Sequence, residues 1–115
     1  MLAVNCESWG RGVVVRLGGR ADFAAVDHLR ESLQAAARQH PHAVIIDASG
    51  LEFIGSAGIG VLVEFRKALM RLGGRVVMSG ANEYIAGCFK LSRLDQAFEQ
   101  FESVDAARTA LGDPE

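Results

Sequence analysis

The sequence is poor in the residues that build cross-links, metal centres and membrane spans. It has two cysteines, Cys6 and Cys88, in 115 residues, which are too few and too far apart for a disulfide framework or a metal cluster. No apolar run approaches the roughly 18–20 residues that would cross a membrane. The N-terminus also lacks a charged segment followed by an apolar one, as a signal peptide would have. We therefore expect a cytoplasmic protein without membrane insertion.

Neither sign of charge dominates the composition. The formal net charge is −2, so the charge balance does not favour a direct nucleic-acid partner. Half of the residues are apolar and 23% are charged, which is typical of a soluble globular domain and not of a disordered chain. This length supports one modest core. We expect one domain over residues 1–112 and a frayed tail over residues 113–115.

The groups that an enzyme would need are missing as well. The three histidines, His28, His40 and His42, lie among polar neighbours or beside a proline, and we expect them at the surface. The sequence has no G-x-S-x-G motif with the spacing of a hydrolase, because Ser56 directly follows Gly55. The same glycine-rich run lacks the lysine of a phosphate-binding loop. We predict a non-enzymatic protein with no cofactor and no metal site.

What the chain does contain is a regular alternation of strand and helix patterns. Apolar, β-forming runs predict strands at residues 2–9, 12–17, 43–47, 75–79 and 98–102. The helices between and after the later strands are expected to begin at the N-caps Asp22, Ser56, Asn82 and Ser103. The order ββαβαβαβα predicts an α/β domain with one mixed sheet and right-handed βαβ crossovers.

The most informative stretch leads from the third predicted strand into the second predicted helix. Residues 43–47 are apolar up to Asp47 and predict a strand buried on both faces. Residues 48–54 are expected to form a loop that Leu51, Phe53 and Ile54 anchor to the body of the domain. The helix that follows opens with small residues, so its first backbone N–H groups would be accessible to a partner or an anion.

Individual residues in the first turn of this helix have predicted roles. As the N-cap, Ser56 would accept a hydrogen bond from the N–H of Gly58 or Ile59. Gly58 and Gly60 would allow another chain to approach the helix closely. We therefore place the function of the protein at this helix start.

The same stretch resembles the signature segment of STAS domains, and in particular that of the stand-alone bacterial anti-sigma-factor antagonists. The resemblance depends on Asp47, on the pair Phe53-Ile54 and on the run Ser56-Ala57-Gly58-Ile59-Gly60. It extends nearly end to end, since the order of elements is that of the STAS fold and residues 72–74, 91–95 and 103–107 also match. It implies a single STAS-like domain.

In that family the helix usually begins Asp-Ser-Ser-Gly-Leu/Ile, and the kinase that the protein binds phosphorylates the second Ser. Gly55 stands here at the Asp position, Ser56 at the first Ser and Ala57 at the acceptor position. The usual acceptor is therefore missing, and Ser56 is the nearest hydroxyl. We expect no phosphate, or a minor amount on Ser56.

Asp47 has two compatible interpretations. An aspartate at a strand end commonly accepts hydrogen bonds from the backbone N–H groups of its own loop. The resemblance instead implies a position beside the phospho-acceptor, at the surface that meets the partner.

The resemblance also implies a partner: an anti-sigma factor of the histidine-kinase-like ATPase class, whose capture frees a sigma factor. The implied contact residues are Asp47, Phe53, Ile54, Gly55, Ser56, Ala57, Gly58 and Ile59. One alternative is a STAS adaptor subunit of a lipid-transport ATPase complex, which binds without phosphoswitching. Another is a small nucleotide-binding or hydrolytic domain. A homodimer is left open.

Overall fold

Five strands and four helices alternate along the residues that the computed structural model describes, 1–94 and 96–112. The strands are β1 (Leu2–Trp9), β2 (Gly12–Ala21), β3 (Ala43–Ile54), β4 (Arg75–Ser79) and β5 (Gln100–Phe101). The helices are α1 (Val26–Ala37), α2 (Ser56–Arg71), α3 (Glu83–Leu91) and α4 (Val104–Leu111), and a short 3₁₀ turn, Phe23–Ala25, precedes α1. The predicted order ββαβαβαβα is confirmed.

The strands form one sheet in the order β1-β2-β3-β4-β5. β1 and β2 are antiparallel and make a hairpin, whereas the β2–β3, β3–β4 and β4–β5 pairs are parallel. The parallel pairs need crossover connections, which α1, α2 and α3 supply. The predicted mixed sheet with βαβ crossovers is confirmed.

The two faces of the sheet carry different helices. Side chains of α1, α2 and α3 join one face in the main core, which includes Leu29, Leu62, Phe89, Val15 and Ile46. The opposite face meets α4 in a smaller cluster, which includes Trp9, Val14, Ile45, Val77 and Ala107. Because side chains alternate along a strand, neighbours such as Ile45 and Ile46 enter different clusters.

β3 is longer than the sequence pattern indicates. It extends over twelve residues, Ala43–Ile54, so the predicted loop at 48–54 is wrong. Its pairing with β2 is interrupted at two points where β3 carries an extra residue. These irregularities shift the alternation of side chains, so the buried residues Ala48, Leu51 and Ile54 are three positions apart instead of two. Because a strand is predicted from apolar residues at every second position, buried residues at every third position do not predict one.

The start of α1 also differs from the prediction. β2 continues through Gly18 and Gly19 to Ala21, because it stays paired with β1 as far as Gly19 and with β3 as far as Ala21. The Asp22 side chain makes no capping hydrogen bond, and the 3₁₀ turn separates it from α1. Asp22 is therefore not the N-cap of α1.

The C-terminal third follows the prediction more closely. The side chain of Asn82 accepts a hydrogen bond from the N–H of Ile85 at 2.8 Å, and that of Ser103 accepts one from Ala106 at 3.1 Å, so both predicted caps are confirmed. The last strand is shorter than predicted, because Phe98 turns into the core. Asp95 and the predicted tail at 113–115 lie outside the described residues.

Candidate functional site

Helix α2 begins one residue earlier than the sequence suggests. Its N-cap is Gly55, and Ser56 is the first helical residue and makes no capping bond, so the prediction that Ser56 is the N-cap is wrong. Two backbone bonds explain the difference. The N–H of Gly55 donates to the carbonyl of Ala21 at 3.0 Å, and the carbonyl of Gly55 accepts from the N–H of Ile59 at 3.0 Å. These bonds hold Gly55 at the junction between strand and helix.

Three residues of the first helical turns reach the surface. Ser56 and Gly60 are exposed and Ala57 is half-buried. The space around Gly60 is open, since no atom beyond its chain neighbours and the nearby backbone of α2 lies within 4 Å of the position that a Cβ would take. A partner can therefore approach this side of α2 closely. Because the Ser56 hydroxyl caps nothing, its modification would break no capping bond.

Gly58 faces the sheet, so the expectation that it opens the helix to another chain is wrong. A Cβ at Gly58 would lie 3.0 Å from the carbonyl oxygen of Ala21 and 3.2 Å from Cγ1 of Ile54. These distances are shorter than ordinary van der Waals contact. The absence of a side chain at Gly58 instead allows α2 to pack closely against the ends of β2 and β3.

Ile54 and Ile59 also contribute mainly to packing. Ile54 is buried, with 3% of its surface exposed, and belongs to the main core. Ile59 is half-buried and packs against that core. Both residues hold the helix start in place, and neither offers a large surface to a partner.

Asp47 lies apart from the other predicted site residues. Its carboxylate accepts a hydrogen bond from the N–H of Ser49 at 3.0 Å and lies 3.6 Å from Nε of Arg16. It shares the α4 face of the sheet with Ile45, and the remaining length of β3 separates it from Gly55 by roughly 20 Å. The interpretation in which Asp47 bonds its own backbone is confirmed, and the structure does not bring it to the start of α2.

Phe53 takes part in a stack of three side chains beside Gly55. Its ring lies 6.1 Å from that of Tyr84 on α3, with an angle of 21° between the planes. The guanidinium carbon of Arg20 lies 4.4 Å from the centroid of the Phe53 ring. We call these three residues, Arg20, Phe53 and Tyr84, the aromatic stack. It joins the ends of β2 and β3 to the start of α3.

Tyr84 enters the stack as a neutral phenol. Desolvation and the neighbouring Cys88 thiol raise the pKa of its hydroxyl, whereas the nearby charge of Arg20 lowers it. The net change is upward, so Tyr84 stays protonated at physiological pH. The stack therefore carries the single positive charge of Arg20.

Exposed aromatic side chains concentrate near this end of the molecule. Phe23 is 87% exposed and Tyr84 is 47% exposed, whereas Trp9, Phe65, Phe89 and Phe98 are buried. Phe23 opens the 3₁₀ turn two residues after Ala21, whose carbonyl binds Gly55. Exposed aromatic rings beside small residues are typical of protein-binding surfaces.

We call the residues that surround the start of α2 at the surface the α2 entry surface: Arg20, Phe23, Phe53, Ser56, Ala57, Gly60 and Tyr84. Sequence reasoning did not find Arg20, Phe23 or Tyr84, because they lie on β2, the 3₁₀ turn and α3, outside the continuous stretch that was recognised.

The histidines lie at the surface, and the described residues form neither a cluster of metal ligands nor a membrane-spanning helix. His28, His40 and His42 are exposed, as predicted. Within residues 1–94 and 96–112, no three His, Cys, Asp or Glu side chains come together in a way that could bind a metal ion. In the same ranges no helix combines the length and the apolar character needed to span a bilayer.

The fold and this site together define a class: small mixed-sheet α/β domains that expose a helix start at the carboxyl end of a central strand. A model of the STAS domain matches residues 4–107. The chain belongs to the STAS domain family, and the resemblance seen in the sequence is confirmed.

Individual relatives agree with this assignment. The chain is 31% identical over 83 residues to an anti-sigma F factor antagonist of Lysinibacillus sphaericus, a match that covers 71% of each chain. It is 27% identical over 101 residues to the anti-sigma-F factor antagonist RsfB of Mycobacterium tuberculosis, covering 85% of this chain and 80% of that one. The crystal structure of an anti-sigma factor antagonist from Mycobacterium paratuberculosis superposes with a TM-score of 0.88, at 25% identity, over 96% of this chain and 93% of that one.

Proposed function

We propose that this protein is a non-enzymatic anti-sigma-factor antagonist, which binds an anti-sigma factor through the α2 entry surface and so releases a sigma factor. The observation that carries the proposal is this exposed surface of small and aromatic residues on a scaffold shared with proteins of that name. The partner would be an anti-sigma factor of the kinase-like ATPase class, met in the cytoplasm.

Such a function requires binding and no chemistry. The antagonist occupies the anti-sigma factor, and mass action then lowers the amount of anti-sigma factor that holds the sigma factor. Ala57 and Gly60 permit close approach of the partner backbone, while Phe23 and Tyr84 supply apolar area that is already exposed. Aromatic residues surrounded by small ones commonly dominate the binding energy of such interfaces.

The proposed antagonist would differ from its family in how it is switched. A phosphoserine at the α2 start adds about −1.5 to −2 charges, which the helix tolerates and a closely docked partner does not. Ala57 has no hydroxyl to accept the phosphate. We infer that control of binding does not act at this position, and that any modification of the turn would fall on the exposed Ser56.

Direct binding tests the proposal. The purified chain is titrated calorimetrically, with and without ATP, against each kinase-like anti-sigma factor of the source bacterium. A partner that binds is then loaded with its sigma factor, and release on addition of the chain is followed by gel filtration. We expect one anti-sigma factor to bind and to release its sigma factor. Failure of every such protein to bind would refute the proposal.

A matched pair of variants locates the surface. Ala57→Glu places a charged side chain on the α2 entry surface, and Ala68→Glu makes the same change at an exposed position eleven residues further along α2, about 16 Å away. We expect Ala57→Glu to abolish capture and Ala68→Glu to preserve it, with both folded by circular dichroism. Equal capture by the two variants would show that the partner docks elsewhere.

The missing acceptor also favours a second function, that of a STAS adaptor subunit in a lipid-transport ATPase complex. Such a subunit needs no phosphoswitch, so the absence of an acceptor hydroxyl at Ala57 would not impair its function. It would remain bound to its ATPase subunit through purification, whatever the nucleotide.

Gel filtration in the same experiments shows whether the isolated chain forms a homodimer.

A further inference from the structure

We propose that the bound anti-sigma factor places a carboxylate on Arg20, next to apolar side chains that cover Phe53 and Tyr84. This inference rests on the proposed function and adds the chemistry of the partner: an acidic residue flanked by apolar ones. The aromatic stack is thus the part of the α2 entry surface that selects the partner.

The Phe53 ring orders the side chain of Arg20 in the unbound protein. Its guanidinium carbon lies 4.4 Å from the centroid of the Phe53 ring, and the Tyr84 ring lies 6.1 Å from the same ring. Stacking on an aromatic ring restricts the long arginine side chain before the partner arrives. A ligand that binds Arg20 therefore loses less conformational freedom than one that binds an unrestrained arginine.

Arg20 also has no acidic partner among residues 1–94 and 96–112. Among residues 1–94 and 96–112, ion pairs within 4.0 Å involve Arg16, Arg30 and Arg75, and none involves Arg20. The acidic residues nearest to the stack along the chain are Asp22, Glu52 and Glu83, and none of these forms an ion pair with it. The N–H donors of Arg20 are thus available for a bidentate contact, and a carboxylate has the geometry that matches them.

The aromatic stack is continuous with the start of α2. A Cβ at Gly55 would lie 3.6 Å from Cε2 of Phe53, so the stack directly adjoins the N-cap. The first turn of α2 contains no acidic residue, and the family's aspartate position is occupied by Gly55. A partner carboxylate at Arg20 therefore meets no opposing carboxylate from that turn. Phe53 and Tyr84 present apolar area to the side chains beside it.

Charge reversal tests the inference, with the anti-sigma factor identified by the titrations above as the probe. Arg20→Glu reverses the charge of the stack, and Arg11→Glu makes the same change in the β1–β2 hairpin, at the other end of β3, where the Arg11 carbonyl accepts from His42. We expect Arg20→Glu to weaken binding by about tenfold or more and Arg11→Glu to change it less than about twofold. Denaturant melts establish that both variants are folded.

The salt dependence supplies an independent measurement. Because a charge pair is screened by salt, affinity of the wild-type chain should fall between low and high salt, and the fall should be smaller for Arg20→Gln. Unchanged affinity of Arg20→Glu, with capture still abolished by Ala57→Glu, would overturn this inference and leave the proposed function standing. Tighter binding of Arg20→Glu would show that the partner is basic at this point, which also overturns it. Absence of any binding anti-sigma factor would refute both proposals.

Discussion

The contact between α2 and the sheet predicts opposite effects for one substitution at two neighbouring glycines. Gly58 and Gly60 both lie near the start of α2, and Gly→Ala removes the conformational penalty of glycine in a helix, about 1 kcal/mol at an interior position. The gain is smaller at Gly58, the third residue of the helix. What distinguishes the two sites is the space available for the added methyl group.

At Gly60 no atom beyond the chain neighbours and the nearby backbone of α2 lies within 4 Å of the new Cβ, so the full helical gain in stability is expected. At Gly58 the Cβ would lie 3.0 Å from the carbonyl oxygen of Ala21, which β-sheet pairing and the bond from Gly55 hold in place. Overpacking of this kind costs about 1–3 kcal/mol. We expect Gly60→Ala to raise the free energy of unfolding by about 0.5–1 kcal/mol, and Gly58→Ala to lower it by about 1 kcal/mol.

Urea unfolding followed by far-ultraviolet circular dichroism measures both changes, with the slope of the transition as a check on the denatured state. The two variants should differ by about 1.5–2 kcal/mol, which is well above the error of matched melts. If Gly58→Ala stabilises the protein as much as Gly60→Ala does, α2 does not pack closely on Ala21, and the account of Gly58 given above is wrong.

Three further predictions concern the core, the switch and a buried hydroxyl. Leu62→Ala should cost about 2–5 kcal/mol, because Leu62 is fully buried, whereas Leu72→Ala, at a residue 59% exposed, should cost less than about 0.5 kcal/mol in the same melts. Incubation with the cognate kinase and ATP should leave the wild-type chain largely unphosphorylated by intact-mass analysis, and Ala57→Ser should gain one phosphate. Ser79→Ala should leave stability unchanged or raise it by up to about 1 kcal/mol, because the Ser79 hydroxyl is buried and has no hydrogen-bond partner among the described residues.

Each of these predictions has an outcome that contradicts it. A Leu62→Ala variant as stable as Leu72→Ala would place the apolar face of α2 away from the sheet. Stoichiometric phosphorylation of the wild-type chain at a distant residue such as Ser92 would put the switch on another surface. A loss of more than about 1 kcal/mol in Ser79→Ala would mean that this hydroxyl has a partner, for example an ordered water.

The order of elements could be predicted because the relevant signals are local. These signals are runs of β-forming residues, helical periodicity and the caps Asn82 and Ser103. Each depends on residues that are close together in the chain, and the structure confirms the order of elements that they indicate. The prediction failed where β3 has irregular pairing with β2. A bulge is a feature of the pairing between two strands. The sequence of one strand shows only that its apolar residues, here Ala48, Leu51 and Ile54, do not alternate with polar ones.

The site divides in the same way. Residue types in a continuous run are enough to single out this helix start, to show that Ala57 has no hydroxyl and to indicate the family. The packed fold was needed to show that Gly58 lies against Ala21, that Asp47 lies on the opposite face of the sheet and that Arg20 and Tyr84 contact Phe53. This is because burial and side-chain contact are properties of elements packed together. They depend on chain segments that the order of residues leaves far apart.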